Sequence, residues 1–210
     1  MKTSRCLLFV AAAALPFLTR AAEPAVATRF VPVDDPAVTE IRQIGDKALT
    51  RLGVELQREV GNAMAKDGAE AAVEICHLKS LKVVNGALAG MPRVTAFKLT
   101  SLKLRNPANA PDAVDQQALD AIKQQMENGD APAALMIQRV EPANGTPEWR
   151  LYKPLGVTPK CASCHGDPAE MPPGLKTKLE INYPSDKANG YVPGEWRGVI
   201  RVTVADAAAK

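Results

Sequence analysis

Apolar residues return at helical spacing in the first third of the chain. Ile41, Ala48, Leu49, Leu52, Leu56, Val60 and Ala63 share one side of a helix over roughly 30 residues. Asp35-Pro36 gives this helix its start, an N-cap acceptor followed by proline at the first helical position. Asp67-Gly68 marks its end. The pattern then predicts a second helix over 69–87, with Val73, Cys76, Ser80 and Val83 on one face and Ile75, Leu78 and Leu81 beside it. Ahead of the first helix, 22–34 carries Pro24 and Pro32 and reads as loose, extended chain.

The period changes downstream. Residues 93–105 read as extended, and the inward parity switches between Phe97/Leu99 and Leu102/Leu104, which predicts a bend or bulge. Asn106-Pro107 and Asn109-Ala110-Pro111 make a turn-rich loop. Asp112 caps a third helix, about 113–128, with Val114, Leu119, Ile122 and Met126 as its apolar residues and Gly129 as its stop. Ala133 to Val140 and Glu148 to Lys153 read as strands joined through Pro142-Ala143-Asn144-Gly145. Prolines and glycines make 154–175 a loop. A last strand, 196–204, alternates Ile200, Val202 and Val204 with Arg201 and Thr203. Helices first and an antiparallel sheet later is an α+β plan.

Residues 1–21 follow a different logic. Lys2 and Arg5 precede an apolar run from Cys6 to Leu18, and Thr19-Arg20-Ala21 offers small residues at a cleavage site. The run is short for a membrane span, so a cleaved signal peptide is expected, leaving one domain over 22–210 without a membrane span. Export changes the charge. Lys2, Arg5 and Arg20 go with the signal, and no acidic residue precedes Glu23, which leaves 23 charges of each sign. A balanced chain gives no reason to expect nucleic acid or an anionic membrane as partner. The remaining cysteines are Cys76, Cys161 and Cys164.

Two of these belong to Cys161-Ala162-Ser163-Cys164-His165, the C-x-x-C-H signature of covalent c-type haem attachment. Two thiols must reach two vinyl groups of one porphyrin, so they must be close and on one side. The next residue, histidine, is then held to bind the iron as proximal ligand. A zinc site would want a second ligand pair, and the mature chain offers only the adjacent Cys76 and His77. Either could be the sixth ligand. Neighbouring helical residues point about 100° apart, so one could meet a haem edge but not both.

The long helix, Glu74-Ile75-Cys76, the segment from Thr100 to Pro111 containing Leu104-Arg105-Asn106-Pro107, Leu151-Tyr152-Lys153-Pro154-Leu155 and the C-x-x-C-H-Gly run occur in one order. In this the chain resembles the Tll0287-like family of exported c-type haem proteins with a PAS-like fold. The resemblance implies an antiparallel sheet helping to cradle the haem, and a distal ligand from Cys76 opposite His165, with His77 as the alternative. It places Arg105 and Asn106 beside the haem or its propionates; a loop braced by its own hydrogen bonds is the other reading of that pair. The expected cofactor is a single covalent haem c. The expected role is a periplasmic monohaem cytochrome with His/Cys ligation, acting as a redox- or gas-responsive sensor or signal relay, with a redox or signalling protein as partner. A simple electron carrier is the alternative. An enzyme such as a peroxidase would need an open iron site and a distal acid–base group, and the only spare histidine neighbours the suspected ligand.

Overall fold

The structure, a computed structural model, describes residues 26–74, Gly86, 89–91 and 93–206. The expected signal segment lies outside the described residues, as do Cys76, His77 and nearly all of the second helix's predicted span beyond Glu74.

Helix α1 runs Thr39–Glu74. Its entry is the one the sequence specifies: the Asp35 carboxylate accepts from the Ala37 N–H at 2.8 Å, and Pro36 opens a 3-10 turn leading into the helix. Its single break is Gly68, at φ 79° and ψ 177°, a backbone that glycine adopts without steric cost. The predicted end and restart are therefore present as a kink within one long element.

Five strands form one antiparallel sheet in the order β1-β3-β4-β5-β2: β1 Val26–Val31, β2 Val94–Thr100, β3 Met136–Pro142, β4 Glu148–Gly156 and β5 Trp196–Ala205. The expected hairpin is β3–β4. Strand β1 corrects the reading of 22–34 as loose chain. It is an edge strand with weak alternation, and its regularity comes from pairing with β3. The parity switch after Leu99 is the end of β2 at Thr100, while the irregular register against β5 lies at the strand's start, between Val94 and Ala96.

Helix α1 lies on one face of the sheet. Ala48, Leu49 and Leu52 pack with Ile137, Leu151, Ile200, Val202 and Val204. Gly45 permits the close approach, since a Cβ there would collide with the Leu151 side chain. Helix α2, Ala113–Glu127, covers the opposite face through Ala118, Leu119 and Ile122 against Met136, Tyr152 and Val199. Strand β5 is thus buried on both sides, which is why Arg201 and Thr203 are buried despite their polar alternation.

Arg201 is tolerated there because α2 brings it a carboxylate. Asp115 is fully buried and accepts from Lys98 Nζ at 2.9 Å, Arg150 Nη1 at 3.1 Å, Arg201 Nη1 at 3.1 Å and the Tyr152 hydroxyl at 3.3 Å. It also closes a capping box with Asp112, whose side chain accepts from the Val114 and Asp115 N–H groups. The α+β, PAS-like plan expected from the sequence is present.

The expected 154–175 loop contains the whole of one helix and the start of another. Helix α3, Pro159–His165, carries the whole C-x-x-C-H motif, and α4 spans Pro173–Asn182. The motif is therefore presented by a helix and not by a loop. Pro159 and Pro173, which read as loop punctuation, open helices instead, because the missing N–H falls where no intrahelical bond is made. Among the described residues no helix is long and apolar enough to cross a membrane.

Candidate functional site

The motif helix is fixed at both ends. At its start, Thr158 Oγ1 accepts from the Cys161 N–H at 3.3 Å and lies 3.1 Å from Cys161 Sγ. At its end, the Gly166 N–H donates to the Ala162 carbonyl at 2.7 Å. A Cβ at Gly166 would sit 2.5 Å from that carbonyl oxygen, so the tight exit needs glycine. Cys161 and Cys164 are three residues apart on one helix, a spacing that puts their side chains on neighbouring positions of one face. Both are partly buried, and no disulfide joins them. Burial pushes the Cys164 thiol up, against the pull of the Arg105 guanidinium.

His165 is held in one tautomer. Its Nδ1 lies 2.7 Å from the Ala188 carbonyl oxygen. A carbonyl only accepts, so Nδ1 carries the proton and Nε2 keeps a free lone pair. Burial, with Arg105 and Arg197 nearby, lowers its pKa to about 4. The imidazole is therefore neutral at pH 7, the form that binds a metal.

The segment that holds His165 is anchored in turn. The Gly190 and Tyr191 N–H groups donate to the Gly166 and His165 carbonyls at 2.7 and 2.9 Å. Asp186 accepts from the Ala188 N–H at 2.8 Å. Arg105 ties these parts together: Nε donates to Asp186 at 2.9 Å, and Nη2 donates to the Cys164 carbonyl at 2.5 Å and the Ala188 carbonyl at 3.4 Å. Arg105 thus braces the backbone of both the motif and its histidine's acceptor. Asn106, next to it, accepts from the Ala108 N–H at 3.0 Å as the cap of a 3-10 turn over Pro107–Asn109. Its described contact is that of a braced loop.

On its other side the motif meets α1. Val73, Leu175, Leu179 and Tyr183 form an apolar cluster against which Ala69, Cys164 and Met171 pack. Val73 precedes Cys76 by three residues. The last described turn of α1 packs beside Cys164. The structure brings together Cys161, Cys164, His165 and Arg105. Thr158, Asp186 and Ala188 were not singled out in the sequence; only Thr158, a good N-cap residue just before a proline, left a local signal there. The roles of the other two depend on a fold that returns 186–191 to the motif.

These residues fit a covalent haem. They offer two thiols on one helix face, a neutral imidazole with one nitrogen free, and an apolar wall. Among the described residues no group of three or more His, Cys, Asp or Glu could hold a bare metal ion.

Fold and site together define an α+β domain whose capped helix presents a Cys–Cys–His set beside the end of a long N-terminal helix. A sequence model of the Tll0287-like family matches residues 42–205, and the chain belongs to that family. It is also similar to a solved structure described as the cyanobacterial heme-protein Tll0287, at 22% identity and a TM-score of 0.44, with 83% of this chain and 95% of that one covered. No curated protein matches the sequence.

Proposed function

We propose that this protein binds one haem c covalently through Cys161 and Cys164, with His165 as proximal iron ligand and Cys76 as distal ligand, and that it is exported to the periplasm as a redox- or gas-responsive sensor or relay. The observation that carries the reading is His165: its Nδ1 is committed to Ala188, its Nε2 is free, and it directly follows two thiols on the same helix. Family membership supports the cofactor, and the solved relative is described as a heme-protein. Bound haem would supply an iron that changes oxidation state and accepts axial ligands.

The chain's own residues do the rest. Arg105 and Asp186 hold the Ala188 carbonyl that orients His165. The Val73–Leu175–Leu179 cluster keeps water from one side of Cys164. A thiolate from Cys76 would favour the ferric state and lower the reduction potential, so loss of that ligand on reduction would free the end of α1 to move. That is the switch expected of a sensor or of a relay to a periplasmic signalling or redox partner.

Visible spectra of Cys76→Ser and His77→Ala, ferric and dithionite-reduced, test this. Cys76→Ser should change the ferric ligation class and raise the potential, while His77→Ala should leave both nearly unchanged. The reverse pattern would assign the distal position to His77. Identical low-spin ligation in both states of the wild type would favour the simple electron carrier.

A further inference from the structure

In an Asn-Gly dipeptide the backbone can attack its own side chain, because glycine puts no Cβ in the way of its nitrogen. The chain holds four such pairs, beginning at Asn85, Asn128, Asn144 and Asn189. Asn85 lies outside the described residues. The fold treats the other three differently. Attack needs a glycine nitrogen that is free and turned toward the asparagine Cγ. At Asn128 it is neither. Asn128 is the C-cap of α2 with ψ at −3°, which rotates Gly129 N away from the side chain, and the Gly129 N–H donates to the Met126 carbonyl at 3.0 Å. At Asn189 the nitrogen is committed as well. The Gly190 N–H donates to the Gly166 carbonyl at 2.7 Å, within the segment that anchors the motif. Asn189 is half-buried, and its carbonyl accepts from Lys103 Nζ at 2.7 Å.

Asn144 is the contrast. It lies in the loop joining β3 to β4, at the end of β4 opposite the one that runs on to the motif. The β3–β4 ladder stops at the Val140–Glu148 pair, and residues 143–146 are all exposed. The Gly145 N–H has no hydrogen-bond partner among the described residues. Nothing in the fold therefore holds this nitrogen back from the neighbouring side chain, and water reaches the pair from outside. Exposed loop tips are where a chain is most open to covalent change.

We propose that Asn144 is a site of spontaneous deamidation, ageing to a mixture of aspartate and isoaspartate, while the fold preserves Asn128 and Asn189. Gly145 N bonds to Asn144 Cγ, and the side-chain nitrogen leaves as ammonia, taking up the Gly145 proton. The product is a cyclic succinimide. Water then adds to one of its two carbonyls and breaks the bond from that carbon to nitrogen. Breaking it at Cγ gives aspartate in an ordinary backbone. Breaking it at the backbone carbonyl carbon leaves the chain running through Cγ, as isoaspartate. One water is consumed, one ammonia is released, and nothing is oxidised or reduced. Either product adds a negative charge to a loop that already has Glu141 and Glu148 at its ends. The assignment does not depend on the haem reading.

Ageing the haem-loaded protein at mildly alkaline pH in heavy-oxygen water tests it. Digestion in ordinary water and position-resolved mass spectrometry then count only the conversion that took place in the intact protein. Label should enter position 144 at least about tenfold faster than 128 or 189, since those two react only through local opening of the fold. In guanidinium chloride, where the fold no longer decides, the three rates should agree within about threefold. Three results would overturn the proposal. Position 144 could stay unlabelled in the folded protein while it converts in guanidinium chloride. The three positions could convert at equal rates in the folded protein. Or their differences could persist in guanidinium chloride, which would assign them to neighbouring residues in the sequence instead of to the fold.

Discussion

Arg105 shows how one side chain can hold a site without touching its reactive atoms. Its guanidinium joins the Cys164 carbonyl, the Ala188 carbonyl and Asp186, and its side chain is only 12% exposed. Arg105→Ala would leave Asp186 half-buried without its cation and release the carbonyl that sets the His165 tautomer. The expected cost is about 2–3 kcal/mol in guanidinium-chloride unfolding, with fewer chains carrying haem at equal expression. Arg105→Lys restores the charge but not the forked geometry and should recover only part of the loss. Gly166 is a second such position: Gly166→Ala brings a methyl against the Ala162 carbonyl and should destabilise the end of α3. The Arg105 match was visible in the sequence as part of a family segment. Its partners were not, because Asp186 and Ala188 lie some eighty residues away and have no local pattern.

At the scale of elements, α2 is tied to the sheet by charge as much as by apolar packing. Asp115 faces Lys98 from β2, Arg150 from β4 and Arg201 from β5. Asp115→Ala would leave three cations around an empty site, and a loss of about 3–5 kcal/mol is expected by thermal or denaturant unfolding. Asp112, half-exposed at the rim, gives this element a pH dependence. Its burial acts to raise the pKa, but the Asp115 N–H and the Arg150 guanidinium outweigh it and hold the carboxyl below its usual 3.8. A depressed carboxyl stabilises the fold above its unfolded pKa and loses that contribution as pH falls through its folded value. Melting temperature should therefore drop as pH falls below about 4, and Asp112→Asn should flatten part of that slope. Helix α1, α2 with its cap, and strands β3 to β5 were legible from periodicity and capping residues. Strand β1 was not, because an exposed edge strand carries little alternation. Helices α3 and α4 were not, because Pro159, Pro172 and Pro173 look the same whether they end a segment or begin one.

For the whole molecule, the sheet supplies a frame with α1 on one face and α2 on the other, and the motif helix sits where 186–191 and the kinked end of α1 come together. The C-x-x-C-H run stands out in the sequence from five residues, since the covalent attachment proposed for it would need little else from the chain. Its surroundings required the fold: a tautomer set by Ala188, a brace from Arg105 and an apolar wall from α1 and α4. The central claim is that Cys161 and Cys164 hold haem by thioether bonds. Its most direct measurement is the intact mass of the denatured, exported protein, produced with the c-haem maturation system and compared with Cys161→Ala/Cys164→Ala. The wild type should carry the mass of one haem through denaturation and acid–acetone extraction, while the double variant should not. A wild-type mass equal to the bare chain, in cells that load a control cytochrome, would contradict it.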